Sequence, residues 1–227
     1  MKTDSLFKSG LAEFSGTALL LIAIVGSGIM GTRLFEDNTG TVLLFNAIAT
    51  GAALIALIIL FGRTSGAHFN PAVTLSEFLL KKIAPQKAML YFPCQILGAL
   101  LGAILANTLF SEPAFQLSSK ERVSFALFVS EVLCTLGLIL IIQAAVRHGW
   151  IAIGLAVGFY IFGAILLTPS TAFANPAVTI GRIGTETFTG IHLASVGPFL
   201  FAQFIGAILA VPLIRQLFPS SSGAFRV

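Results

Sequence analysis

Charge is what this chain lacks most. Only 10% of its 227 residues are Asp, Glu, Lys or Arg, against 56% hydrophobic residues and a mean hydropathy of +0.98. Soluble domains carry roughly a quarter charged residues, so a soluble globular class is excluded and an integral membrane protein is implied. Cysteine is nearly absent too. Cys94 and Cys134 lie inside apolar segments, where they read as small packing residues and not as a disulfide framework. No grouping of nucleophile, base and orienting residue stands out in the apolar segments, and no metal-ligand cluster does either. Neither an enzyme nor a cofactor or metal is therefore expected. A cleavable leader is also not expected: the apolar run from Leu11 lacks a small-residue cleavage site and is long enough to stay as a helix.

Apolar runs cover about 11–30, 41–61, 88–110, 123–146, 151–167 and 196–217. Six crossings put both termini on one side. The net charge of +4 is spread over the segment ends, which points to membrane topology and not to nucleic acid. Lys2, Lys8, Arg63, Lys81, Lys82, Lys87, Arg147, Arg215 and Arg226 share the side of the termini, and Arg33, Lys120, Arg122 and Arg182 face the other way. Nine against four predicts cytoplasmic termini in a cell inner (plasma) membrane.

The strongest local signal is a repeat. Asn70-Pro71-Ala72-Val73-Thr74 returns 105 positions later as Asn175-Pro176-Ala177-Val178-Thr179. Asn is a preferred N-cap and Pro suits the first helical position, where its missing N–H costs nothing, so each pentamer predicts a helix start. Small and polar residues lead into each, over 62–68 and 168–171. Only about ten residues then precede a break, at Lys81-Lys82 and at Gly184, where a crossing needs roughly 20. Two half-helices are predicted.

Further pairs extend the repeat. Ala12-Glu13-Phe14-Ser15-Gly16-Thr17 is echoed by Ser130-Glu131-Val132-Leu133-Cys134-Thr135, and Gln95-Ile96-Leu97-Gly98-Ala99 by Gln203-Phe204-Ile205-Gly206-Ala207. Three crossings separate the copies, so the second is inverted relative to the first. The expectation is an all-α membrane protein forming one domain over 1–227. Its six spanning helices and two half-helices fall in inverted repeats at about 8–112 and 122–219. The half-helix N-termini, each bearing roughly half a positive charge, would meet near the midplane with the Asn70 and Asn175 amides beside them. Such a meeting disfavours cations and hydronium and tolerates neutral polar solutes.

Ala12-Glu13-Phe14 with Gly16-Thr17, Ser65-Gly66-Ala67-His68-Phe69 running into the first pentamer, and Asn175-Pro176-Ala177 resemble the aquaporin (major intrinsic protein) family across essentially the whole chain. The resemblance implies one pore per subunit, a homotetramer in the lipid bilayer, and Glu13 and Glu131 as buried carboxylates bonding the loops that carry the half-helices. A transport role for those carboxylates is the less favoured alternative. It also implies that His68 lines the cytoplasmic half of the pore.

The sequence departs from the family at the filter. Most aquaporins place Arg directly after the second Asn-Pro-Ala, and here that position is Val178. Family spacing puts the second-helix filter position at Thr50 and a loop position at Ala172. The fifth-helix position falls on Ile161 or Gly163, depending on the anchor. Val178 within Phe173-Ala174-Asn175-Pro176-Ala177-Val178-Thr179-Ile180 is similar to bacterial aquaglyceroporin-like channels found near arsenic-resistance genes. That likeness implies a wide pore for glycerol or other polyols, neutral arsenite or methylated arsenicals, and water. Two alternatives stay open. A water-selective channel would use Arg182 in place of the missing Arg, and a coupled transporter would use Glu13, Glu131 or His68. The preferred reading of Arg182 is structural: it caps carbonyls or pairs with Glu186 at the outer surface.

Overall fold

A computed structural model describes residues 3–36 and 38–218. Lys2 and Arg226 of the charge count, and residue 219 of the second repeat, lie outside the described residues. The fold is all-helical: α1 Thr3–Phe35, α2 Thr39–Ser65, α3 Pro71–Leu79, α4 Pro85–Leu109, α5 Phe125–Ala145, α6 Gly149–Leu167, α7 Pro176–Gly181 and α8 Leu193–Leu217. The helices α3 and α7 are short, at 9 and 6 residues.

Local chemistry sets these boundaries. Asn70 and Asn175 cap α3 and α7, their side-chain oxygens accepting from the N–H groups of Ala72 and of Ala177 and Val178, and Pro71 and Pro176 begin the first turns. Ser124 caps α5 and Asn38 caps α2. The 43-residue apolar stretch Phe125–Leu167 is broken into two helices by a 3₁₀ turn at Val146–His148 and by Gly149 at φ 84°. The long helices overrun the apolar runs: α1 begins at Thr3, eight residues before Leu11, and ends at Phe35. An apolar run marks only the length that matches hydrocarbon, and polar residues continue a helix past it. The same reasoning corrects the first loop. Gly62 to Ser65 are helical, and α2 ends only at Gly66, which takes the left-handed conformation at φ 96°.

The long helices α1, α2 and α4 pack together, α5 packs on α6 and α8, and α2 against α6 joins the two groups. Leucine, isoleucine and phenylalanine side chains such as Leu19, Leu44, Leu97, Leu101, Phe201 and Ile208 remain exposed around the outside, where a bilayer would solvate them. The inner packing is close enough to demand glycine at the positions picked out by the repeat. A Cβ on Gly98 of α4 would stand 2.3 Å from the Phe14 carbonyl oxygen of α1, and one on Gly206 of α8 would stand 2.5 Å from that of Val132 in α5.

Alanine at either position must therefore push backbone from backbone. The expected cost is about 1–3 kcal/mol, read as a lowered thermal midpoint of detergent-solubilised protein for Gly98→Ala and Gly206→Ala. Gly197→Ala, whose Cβ would meet nothing within 4 Å, should melt like the parent. A Gly98→Ala protein that melts at the parental temperature would contradict this crossing geometry.

Candidate functional site

The short helices meet head to head through their caps. The Asn70 side-chain amide donates to the Ala174 carbonyl at 2.8 Å, and that of Asn175 donates to the Phe69 carbonyl at 2.9 Å. Each amide carries two hydrogens, and these bonds take one of each. Asn70 and Asn175 both line a cavity of 2390 Å³, well above the roughly 300–1,000 Å³ of a pocket for one small ligand. Its wall runs from Lys81 and Lys82 beyond α3, past both asparagines, to Arg182 beyond α7. Its lining therefore reaches residues beyond both short helices.

The loops leading into the short helices share an unusual backbone. Gly66, Ala67 and Phe69 have positive φ, and so do Thr171, Ala172 and Ala174, each 105 positions later. Non-glycine residues in this region cost about 1–3 kcal/mol each, so something must hold them. Two carboxylates do. Glu13 accepts from the His68 N–H at 3.0 Å, the Phe69 N–H at 2.7 Å and the Gln95 side-chain amide at 2.7 Å. Glu131 accepts from the Phe173 N–H at 2.9 Å, the Ala174 N–H at 2.8 Å and the Gln203 amide at 2.7 Å. Gln95 and Gln203 also donate to Thr74 and Thr179, on α3 and α7. Each cluster thus ties two long helices, a loop and a short helix together. Both carboxylates are fully buried and neither lies on the cavity wall.

The remaining sequence-derived positions divide. Thr50, Ile161, Ala172, Val178 and His68 all lie on the cavity wall. Thr50 is 3% exposed and its hydroxyl has no partner in the protein. The His68 Nδ1 is 3.0 Å from the Thr74 hydroxyl, and its ring stands edge-on to Tyr91. Gly163 is not on the wall, and a Cβ there would meet nothing within 4 Å. Two residues along a helix turn the side chain through roughly 200°, so Ile161 and Gly163 cannot both face inward.

Arg182 meets half of its preferred reading. It bonds a carbonyl, but it is 6% exposed and lies on the cavity wall and does not pair with Glu186 at the outer surface. Its Nε donates to the Thr189 carbonyl, and its guanidinium carbon sits 3.4 Å from the centre of the Phe173 ring. Glu186 does not pair with it. The Glu186 carboxylate accepts instead from the Ser119 hydroxyl at 2.7 Å and from the Ser119 N–H. The sequence reading missed two further polar lining residues, since Asn46 and Glu77 also face the cavity. The signal that could have found Glu77 was the repeat itself: Glu77 stands 105 positions before Arg182, as Val73 does before Val178.

The family profile described as Major intrinsic protein matches residues 1–167. The chain is 40% identical to aquaglyceroporin AqpS of Rhizobium meliloti (strain 1021) over 96% of its own length and 93% of the relative's. It is 32% identical to aquaporin TIP1-1 of Arabidopsis thaliana, over 92% and 88%. In fold it is similar to the X-ray structure of the aquaglyceroporin from Plasmodium falciparum, with a TM-score of 0.75 at 19% identity, covering 94% of this chain and 97% of that one.

Two outcomes follow from the geometry. In Glu131→Gln one amide oxygen replaces two carboxylate oxygens, so a loop N–H faces an NH₂ group and is left unpaired at a cost of about 1–3 kcal/mol. Amide hydrogen exchange at Phe173 or Ala174 should accelerate and the thermal midpoint should fall. The second concerns pH. The Ser119 hydroxyl and N–H hold the Glu186 carboxyl below its usual range. A carboxylate depressed in the folded state stabilises the loop above its unfolded pKa, and that stabilisation is lost as pH falls through the depressed folded value. Exchange at Ser119 should speed up on acidification below the ordinary carboxylate range, and Glu186→Gln should abolish that dependence.

Proposed function

The chain belongs to the major intrinsic protein family, and we propose that it is a passive pore for small neutral solutes with a filter lacking the Arg usual in aquaporins. It is a multi-pass membrane protein of a channel family. On the proposed topology α1, α2, α4, α5, α6 and α8 cross the cell inner membrane and both termini are cytoplasmic. Residues 8–112 and 122–219 are then inverted copies within one domain, and subunits assemble as homotetramers. The Lys82 mouth faces the cytoplasm and the Arg182 mouth faces outward.

Two features give the central constriction its role. The short helices direct their positive N-terminal ends at it, and each asparagine amide keeps one hydrogen for a passing oxygen. A water or alcohol oxygen held there turns its own hydrogens toward the two mouths, which interrupts proton relay, an effect established for aquaporin-type pores. Pro71, Ala72, Pro176 and Ala177 keep these ends aligned as first-turn residues. Cations meet a barrier and neutral molecules pass.

The observation that supports the solute class is that Thr50, Ile161, Ala172 and Val178 all line the cavity, and we place the filter there by the family's spacing. Three of these side chains are apolar and the fourth is a small hydroxyl, so discrimination at that level rests on size and neutrality. Glycerol, related polyols, water and arsenite in its neutral trihydroxyl form satisfy both conditions, as do uncharged methylated arsenicals. Coupled transport is disfavoured because Glu13 and Glu131 spend their oxygens on loop N–H groups away from the lumen.

Proteoliposomes should show glycerol and arsenite permeability beside water permeability. Val178→Arg should reduce glycerol and arsenite flux about tenfold, equivalent to about 1.4 kcal/mol of added barrier, with a smaller effect on water. Water flux without glycerol or arsenite flux in the parent would overturn the proposal.

A further inference from the structure

Arg182 is a buried cation on the cavity wall with no carboxylate against it. Among the described residues the ion pair recorded is Arg33 with Glu112, far along the chain, and Glu186 is tied to Ser119. The guanidinium is fixed by two contacts that use only part of it, its Nε on the Thr189 carbonyl and its face on the Phe173 ring. No acceptor among the described residues meets its terminal nitrogens, and neither nitrogen is among the sealed, unpartnered polar atoms. Their N–H groups are therefore open to the lumen.

The repeat gives this position a counterpart. Val73 and Glu77 stand four apart as Val178 and Arg182 do, and all four line the cavity. A spacing of four keeps side chains on one helical face, so each mouth has a charged residue one turn beyond a valine. Their surroundings differ. Glu77 accepts from the Gln143 amide, whose oxygen accepts from the Lys82 ammonium, so its charge is answered. Arg182 instead has a second cation nearby, since the Arg122 guanidinium lies 5.1 Å from the same Phe173 ring.

Resting on the pore reading above, we propose that Arg182 is the specificity-determining residue of the outer mouth, setting the largest neutral polyol that enters. Its planar N–H fork replaces part of the water shed by an incoming hydroxyl chain, while its rigid seat on Phe173 limits the opening. Three-carbon polyols and compact trihydroxyl acids fit this opening, and longer polyols are turned away at the mouth before reaching the valine level.

The test is a proteoliposome comparison of water, glycerol and the five-carbon polyol ribitol for the parent, Arg182→Gln and Arg182→Lys. Gln keeps a donor for the Thr189 carbonyl but loses the fork. Its ribitol-to-glycerol permeability ratio should rise about tenfold, the scale of one size-selecting contact, measured against water permeability in the same vesicles. If Arg182→Gln does not fold, Arg182→Lys carries the test. An ammonium lacks the planar fork, so that ratio should rise as well. Parental ratios in the folded variants would overturn the assignment while leaving the pore reading intact. A uniform rise for water, glycerol and ribitol would also overturn it, as the sign of general loosening. A parent that passes no glycerol would overturn the pore reading itself.

Discussion

Two carboxylates in places without water hold the centre of this molecule. The loops entering α3 and α7 carry left-handed backbone at Ala67, Phe69, Thr171, Ala172 and Ala174, conformations that side chains other than glycine adopt at a cost. Glu13 and Glu131 offset that cost with charge-assisted hydrogen bonds to the loop N–H groups, which are stronger than neutral ones. In hydrocarbon those N–H groups would otherwise have no partner. Irregular chain at membrane depth is thus tolerated because a long helix on each side supplies an acceptor for it.

From that support the geometry of the site follows outward. Seated loops place Asn70 and Asn175 where each can bond the opposite loop, which brings the short helices end to end. Val73, Glu77, Val178 and Arg182 then line one cavity. Close crossings at Gly98 and Gly206 bring α4 and α8 near enough for Gln95 and Gln203 to reach the carboxylates.

Much of the fold was legible in the sequence, because a duplicated pentamer with Asn and Pro in capping positions states both where short helices start and that there are two of them. Composition stated the solvent. The ends of the long helices were less legible, since polar residues extend a helix beyond its apolar run, as Thr3 to Gly10 do in α1. Counting by the spacing of the resembled family pointed to Thr50, Ala172 and Val178, and all three line the cavity. Ile161 could not be told from Gly163 by counting, because the connection between α6 and α7 has its own length and only helix rotation separates the two. Arg182 was half legible. A carbonyl partner was among the expectations, but Glu186 also attracted attention as a neighbouring acid, and the Phe173 face that seats the guanidinium leaves no pattern in composition.

The crossed bonds between Asn70 and Ala174 and between Asn175 and Phe69 also bear on biogenesis. When a ribosome has delivered the chain only as far as α4, the Asn70 amide has no carbonyl to meet and α3 has nothing opposing its end. The tip of α3 therefore stays without its cross-bond until residues beyond 170 have been made, and the joining of the two tips is a late step of synthesis.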